Sequence, residues 1–72
     1  MIKVFSQPFC STCVALKNEL KKNNIEFEDI NVIENSEARN EILDKGFRAV
    51  PIVKINEEYV VGLDKVKEML GV

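Results

Sequence analysis

The chain has 72 residues and a net charge of −2, with 46% hydrophobic and 31% charged residues. That balance is ordinary for a folded soluble domain and excludes collagen-like, low-complexity and strongly disordered classes. It carries no basic footprint of the kind that nucleic-acid binding needs. Its longest apolar stretch falls far short of the ~18 residues that argue a membrane span.

The length predicts one domain, residues 1–72. Met1 leads directly into Ile2-Lys3-Val4-Phe5, whose β-branched and aromatic residues predict a strand. No basic segment with a long apolar run precedes it, so no export signal is expected and the cytoplasm is the expected compartment. Ser6-Gln7-Pro8-Phe9 reads as a loop, and Pro8 keeps the residue before it out of helix. Residues 11–22 carry a helical pattern, with Cys13, Leu16 and Leu20 on one face and Lys17, Asn18, Lys21 and Lys22 facing out.

Residues 25–32 are expected as a second strand. Asn35-Ser36 offers N-cap side chains for a second helix over 36–45, with Glu37 in its first turn. Ala38, Ile42 and Leu43 form its apolar stripe, and Gly46 suits the position past its end. Pro51-Ile52-Val53-Lys54-Ile55 predicts a third strand. Asn56-Glu57-Glu58 predicts a tight turn, and Tyr59-Val60-Val61 a fourth strand. Gly62 breaks it. Asp64 is the expected N-cap of a last helix with Val66, Met69 and Leu70 on its apolar face, closed by Gly71.

The order is β-α-β-α-β-β-α, an α/β fold. A helical crossover joins the first two strands, so they should be parallel with a right-handed connection. The last two should form an antiparallel hairpin. The result is a four-stranded mixed sheet with three helices.

The chemistry sits in Cys10-Ser11-Thr12-Cys13, a C-x-x-C between a strand-loop and a helix start. In a cytosolic βαβ context that pattern reads as a redox site. The thiolate is the nucleophile, so the cysteine needs a lowered pKa. With Cys10 at the N-cap, its sulfur can accept from the free amides of Thr12 and Cys13. The helix dipole adds positive potential at the same point. Cys13 lies one turn along, within reach of the Cys10 sulfur and on the apolar face, so Cys10 should be the exposed member.

Two other readings stand beside this one. A static disulfide over so short a loop stabilises little. A metal site is half built, because one chain with two cysteines and no histidine cannot complete a tetrahedral set. A dimer sharing the C-x-x-C thiolates could hold zinc or an iron–sulfur cluster. Pro51 is ordinary at the first residue of a strand. By itself it favours a trans bond, since only about one X–Pro bond in twenty is cis.

Taken together, the C-x-x-C, the element order and Val50-Pro51 resemble a glutaredoxin, a thioredoxin-like fold, over essentially the whole chain. The resemblance implies that Pro51 is cis and faces the cysteines. It also implies that the Val50 backbone pairs with substrate as an added strand. Gly46-Phe47-Arg48-Ala49-Val50-Pro51-Ile52-Val53 is similar to the G-F-R-x-x-P-V-V stretch of NrdH-redoxins, and Phe27-Glu28-Asp29-Ile30-Asn31-Val32 resembles the second strand of that branch. Those proteins carry electrons from thioredoxin reductase to ribonucleotide reductase.

Glutathione-using glutaredoxins usually have Lys where Gln7 stands and an aromatic where Thr12 stands. Their G-G-x-D-D loop appears here as Val61-Gly62-Leu63-Asp64-Lys65, which weakens the contacts to glutathione. The S-G-F-x-P-D stretch of NrdH-redoxins is not matched well either, while Pro8-Phe9-Cys10 resembles the P-Y-C of ordinary glutaredoxins. The resemblance therefore implies Cys10 and Cys13 as the catalytic pair. Gln7, Phe9, Thr12, Val50, Pro51, Gly62, Leu63 and Asp64 would contact substrate. It implies a monomer with no tightly bound cofactor that reduces protein disulfides, such as that of ribonucleotide reductase, or glutathione mixed disulfides. Glutathione or thioredoxin reductase would be its electron source.

Overall fold

The computed structural model describes residues 2–71. The end residues of the expected domain, Met1 and Val72, lie outside them. The elements run β1 Ile2–Ser6, α1 Ser11–Lys22, β2 Glu28–Asn31, α2 Ser36–Asp44, β3 Ile52–Ile55, β4 Glu58–Val61 and α3 Leu63–Leu70. The sheet order is β2-β1-β3-β4. β1 pairs parallel with β2 and antiparallel with β3, and β3 and β4 form an antiparallel hairpin. This is the thioredoxin-like arrangement expected from the sequence.

β1 is covered on both faces, so it reads as an apolar run rather than an alternation. Val4 packs with Val53 and Val60 against Leu16, Leu20 and Val66, on the side of α1 and α3. Phe5 packs with Ile52 against Ala38 and Ile42, on the side of α2. Burying a side chain of this size contributes roughly 1.5–3 kcal/mol. The sheet is thus clamped between helices, and the loop leaving β1 is held where α1 begins.

Several boundaries differ from those expected, including the end of α2 at Asp44 and the start of β3 at Ile52. β2 begins at Glu28 rather than residue 25. The cause is the end of α1, where Asn24 is left-handed (φ 58°). The Asn24 amide donates to the Lys21 carbonyl at 3.0 Å and the Ile25 amide to the Leu20 carbonyl at 2.9 Å. This is a Schellman closure, and it uses the amide that a strand would need. Ile25 and Phe27 still pack against the core. α2 closes in the same way, with Gly46 at φ 89° and amides 46 and 47 returning to the Leu43 and Ile42 carbonyls. The hairpin turn is two residues, Asn56 and Glu57, because Glu58 already pairs with Ile55. β1 runs one residue further than expected, to Ser6.

α3 is capped by Gly62, not Asp64, which lies in the first turn. Gly62 has φ 97° and ψ 141°, backbone that side chains with a Cβ rarely adopt. Gly62→Ala should lower stability by about 1–3 kcal/mol although no atom lies near the added methyl. A lower thermal midpoint checks this, and an unchanged one contradicts it. Leu43 and Met69, expected on apolar stripes, are instead exposed. Each sits beyond the narrow face that its helix presents to the sheet.

On the α2 side, the Tyr59 hydroxyl and the Lys54 ammonium both donate to Glu41. The Tyr59 hydrogen bond, with Lys54 beside it, holds the Glu41 carboxyl below its usual range against some burial, and the same bond pushes the phenol of Tyr59 up. This polar knot ties α2 to the hairpin.

Candidate active site

The loop between β1 and α1 ends on Cys10, which is the N-cap of α1 with extended backbone (φ −112°, ψ 102°). Its sulfur accepts from the Cys13 amide at 3.2 Å. The second contact comes from the Thr12 hydroxyl, at 3.3 Å. This hydroxyl, and not the Thr12 amide that the N-cap position predicts, makes the second contact. Cys10 and Cys13 are joined as a disulfide with Cα atoms 5.2 Å apart. Cys13 is 1% exposed beside Leu16 and Leu20, whereas Cys10 is partly exposed. No acidic residue lies in the first turn of α1, and Lys21 and Lys22 occupy the last. The charges therefore follow the helix dipole and set no carboxylate against a sulfur anion.

Phe9 stands beside this pair with its ring fully exposed and its backbone left-handed at φ 59°. Such a φ is unusual for a bulky residue. The Val50–Pro51 bond is cis, as the resemblance implied. Two grooves meet at Ala49 and Val50. One, of about 290 Å³, is lined by Thr12, Leu16, Pro51, Val61, Gly62 and Leu63 and is mostly apolar. The other, of about 420 Å³, is lined by Gln7, Ile33, Phe47, Val50 and two arginines. The fold thus brings Thr12, Val50, Pro51, Gly62 and Leu63 together, and sets Gln7 across the Val50 ridge. Asp64 is exposed and lines neither groove. A wider groove of about 910 Å³ opens at the free edge of β2, and neither cysteine lines it.

These features are those of a two-sulfur redox centre. The family model described as Glutaredoxin matches residues 2–60. The chain belongs to the glutaredoxin family. It is a thiol–disulfide oxidoreductase. It is 36% identical over 66 residues to an uncharacterized glutaredoxin-like 8.6 kDa protein in the rubredoxin operon of Clostridium pasteurianum, covering 90% of this chain and 88% of that one. It is 34% identical over 53 residues to the glutaredoxin-like protein NrdH of Lactococcus lactis, covering 74% of each. The structure of the glutaredoxin-like NrdH-redoxin from Escherichia coli superposes with a TM-score of 0.80 at 29% identity, covering 86% of this chain and 82% of that one.

Sequence reasoning missed one polar group near the site. Ser6, read as loop, is buried and donates to Asp29 at 2.9 Å. Lys17, read as facing out, is only 22% exposed in its side chain and reaches the other Asp29 oxygen at 3.0 Å. Burial raises the Asp29 pKa, but hydrogen bonds from Lys17 and Ser6 outweigh it and leave the carboxyl below its usual range. Among side chains the only hint was a carboxylate, Asp29, inside the strand expected over residues 25–32. It cannot be matched to a lysine twelve residues away without the register.

A group with a depressed folded-state pKa contributes stability above its unfolded value, near 4, and loses it as the pH falls through the lower folded value. Wild type should therefore exceed Asp29→Asn in urea midpoint at neutral pH, and the gap should close only on acidification below about pH 4. A gap that stays constant into acid would contradict this.

Proposed function

We propose that Cys10 is the attacking nucleophile and Cys13 the resolver in the reduction of protein disulfides. The observation that carries the reading is the Cys10 sulfur at the N-cap, facing the Cys13 amide while Cys13 itself is buried. In the reduced protein that amide and the helix dipole favour the Cys10 thiolate. The thiolate attacks one substrate sulfur, and the other leaves as a thiolate that takes up a proton. Cys13 then loses its proton and attacks the Cys10 sulfur. The Cys10–Cys13 bond forms, the mixed disulfide breaks, and the second substrate thiol departs. Two electrons have moved from the pair to the substrate, and an external thiol must return them.

Val50 supplies backbone groups for an added substrate strand, with Pro51 beside it. Phe9, Thr12, Gly62 and Leu63 offer the flanking contacts. Gln7 and Asp64 complete the contacting set only in part, because Gln7 lies beyond the ridge and Asp64 outside both grooves. Gln7 and Thr12 lack the cation and aromatic ring of glutathione-using relatives, which favours a protein disulfide over glutathione. The Escherichia coli relative is described as having a thioredoxin-like activity profile, in keeping with this reading. Thioredoxin reductase is accordingly the proposed electron source. Ribonucleotide reductase is the first protein disulfide to test. The protein works as a monomeric carrier in the cytoplasm, where thiols stay reduced.

NADPH consumption tests the choice. Thioredoxin reductase alone should sustain disulfide reduction, and glutathione with glutathione reductase should do so several-fold less well. The reverse order would assign glutathione as the reductant.

A further inference from the structure

The chain has only two arginines, Arg39 and Arg48, and its other eight cations are lysines. Both line the groove of about 420 Å³ that also takes in Gln7 and Val50. Their convergence has a local cause. Arg39 is one turn into α2, which Asn35 caps through the Ala38 amide. The Schellman closure at Gly46 folds the chain back, Phe47 is pinned in the core, and Arg48 follows it towards Val50. Among the described residues neither guanidinium takes part in an ion pair. In a chain of net charge −2, an unpaired arginine pair beside the redox loop is a local reversal of charge.

An extended chain lying along Val50 sends successive side chains to opposite sides. The two grooves that meet at Ala49 and Val50 lie on those two sides, one apolar and one cationic. We infer that Arg39 and Arg48 form a specificity shelf for an acidic residue of the protein substrate, beside the attacked cysteine. An apolar neighbour of that residue would enter the groove between Thr12 and Leu63. Arginine suits the task, because its planar fork can hold a carboxylate through two parallel hydrogen bonds. The inference rests on the proposed attack by Cys10 with Val50 as the docking edge.

The test uses short peptides with one intramolecular disulfide, identical except for Glu, Gln or Lys beside the attacked cysteine, with kcat/KM measured for each. Both arginines are exposed, so the gain is that of solvent-screened pairs. Wild type should prefer Glu over Gln by about two- to fivefold. Added salt should shrink that preference. The Glu-to-Gln ratio should fall to about one in Arg39→Gln/Arg48→Gln. In Arg39→Glu/Arg48→Glu the Lys peptide should become the best substrate, a gain that misfolding could not produce. Equal rates for Glu and Gln in wild type would overturn the shelf, as would a preference that survives in the Gln double variant. An arginine dependence found with glutathione disulfide but not with the peptides would overturn it too, and assign the shelf to glutathione. If no peptide disulfide is reduced at all, the docking reading itself falls, and the shelf with it.

Discussion

Cys10→Ser should abolish disulfide reduction, with turnover falling by more than about a hundredfold. Nothing else near the loop can replace its sulfur, because the chain's other cysteine is 1% exposed. A serine at the N-cap would still cap α1 well, so the fold should survive and the loss should be chemical. Cys13→Ser is expected to act differently. Attack still occurs, but resolution does not, and a stable mixed disulfide with substrate should accumulate. Mass spectrometry after mixing with a disulfide peptide should find that adduct in Cys13→Ser and not in Cys10→Ser. The opposite pattern would exchange the two roles.

Phe5→Ala should have the largest effect on stability, about 3–5 kcal/mol. Phe5 is 0% exposed, sits on the central strand and stacks against Tyr59 with ring centroids 6.5 Å apart. Its removal opens a cavity under α2, where Ile42 and Ile52 cannot close in without moving the sheet. Domains of this kind have about 5–15 kcal/mol in total, so the variant should be close to unfolding at room temperature. Urea denaturation followed by circular dichroism measures this directly. A loss below about 1 kcal/mol would mean that the α2 face repacks freely.

Legibility in the sequence followed the range of the interactions. The C-x-x-C, the burial of Cys13 and the N-cap role of Cys10 depend on neighbours within one helical turn, and all could be read from spacing. The parallel pairing of β1 with β2 could be read because a helix between two strands dictates a parallel crossover, whereas the place of β3 beside β1 could not, since no local signal pairs them. The start of β2 could not be read, since it is set by which carbonyl the Ile25 amide reaches, and Ile25-Glu26-Phe27 alternates like a strand. Asn24 carried the clue, as an asparagine able to take a left-handed turn. The inward turn of Lys17 depends on Asp29 lying level with Val4 on the face that α1 covers, which only the register reveals. The meeting of Arg39 and Arg48 is of the same kind. They lie nine residues apart with no shared periodicity, and the closure at Gly46 alone brings them into one groove.

Disulfide reduction by this chain depends most on the acidity of one sulfur. Alkylation of the reduced protein with iodoacetamide across a pH series, with the modified cysteine identified by mass, measures it directly. Cys10 should react first, with an apparent pKa clearly below the ~8.5 of a free cysteine, and Cys13 should lag well behind. A Cys10 that titrates near ~8.5, or a Cys13 that reacts ahead of it, would contradict the mechanism at its base.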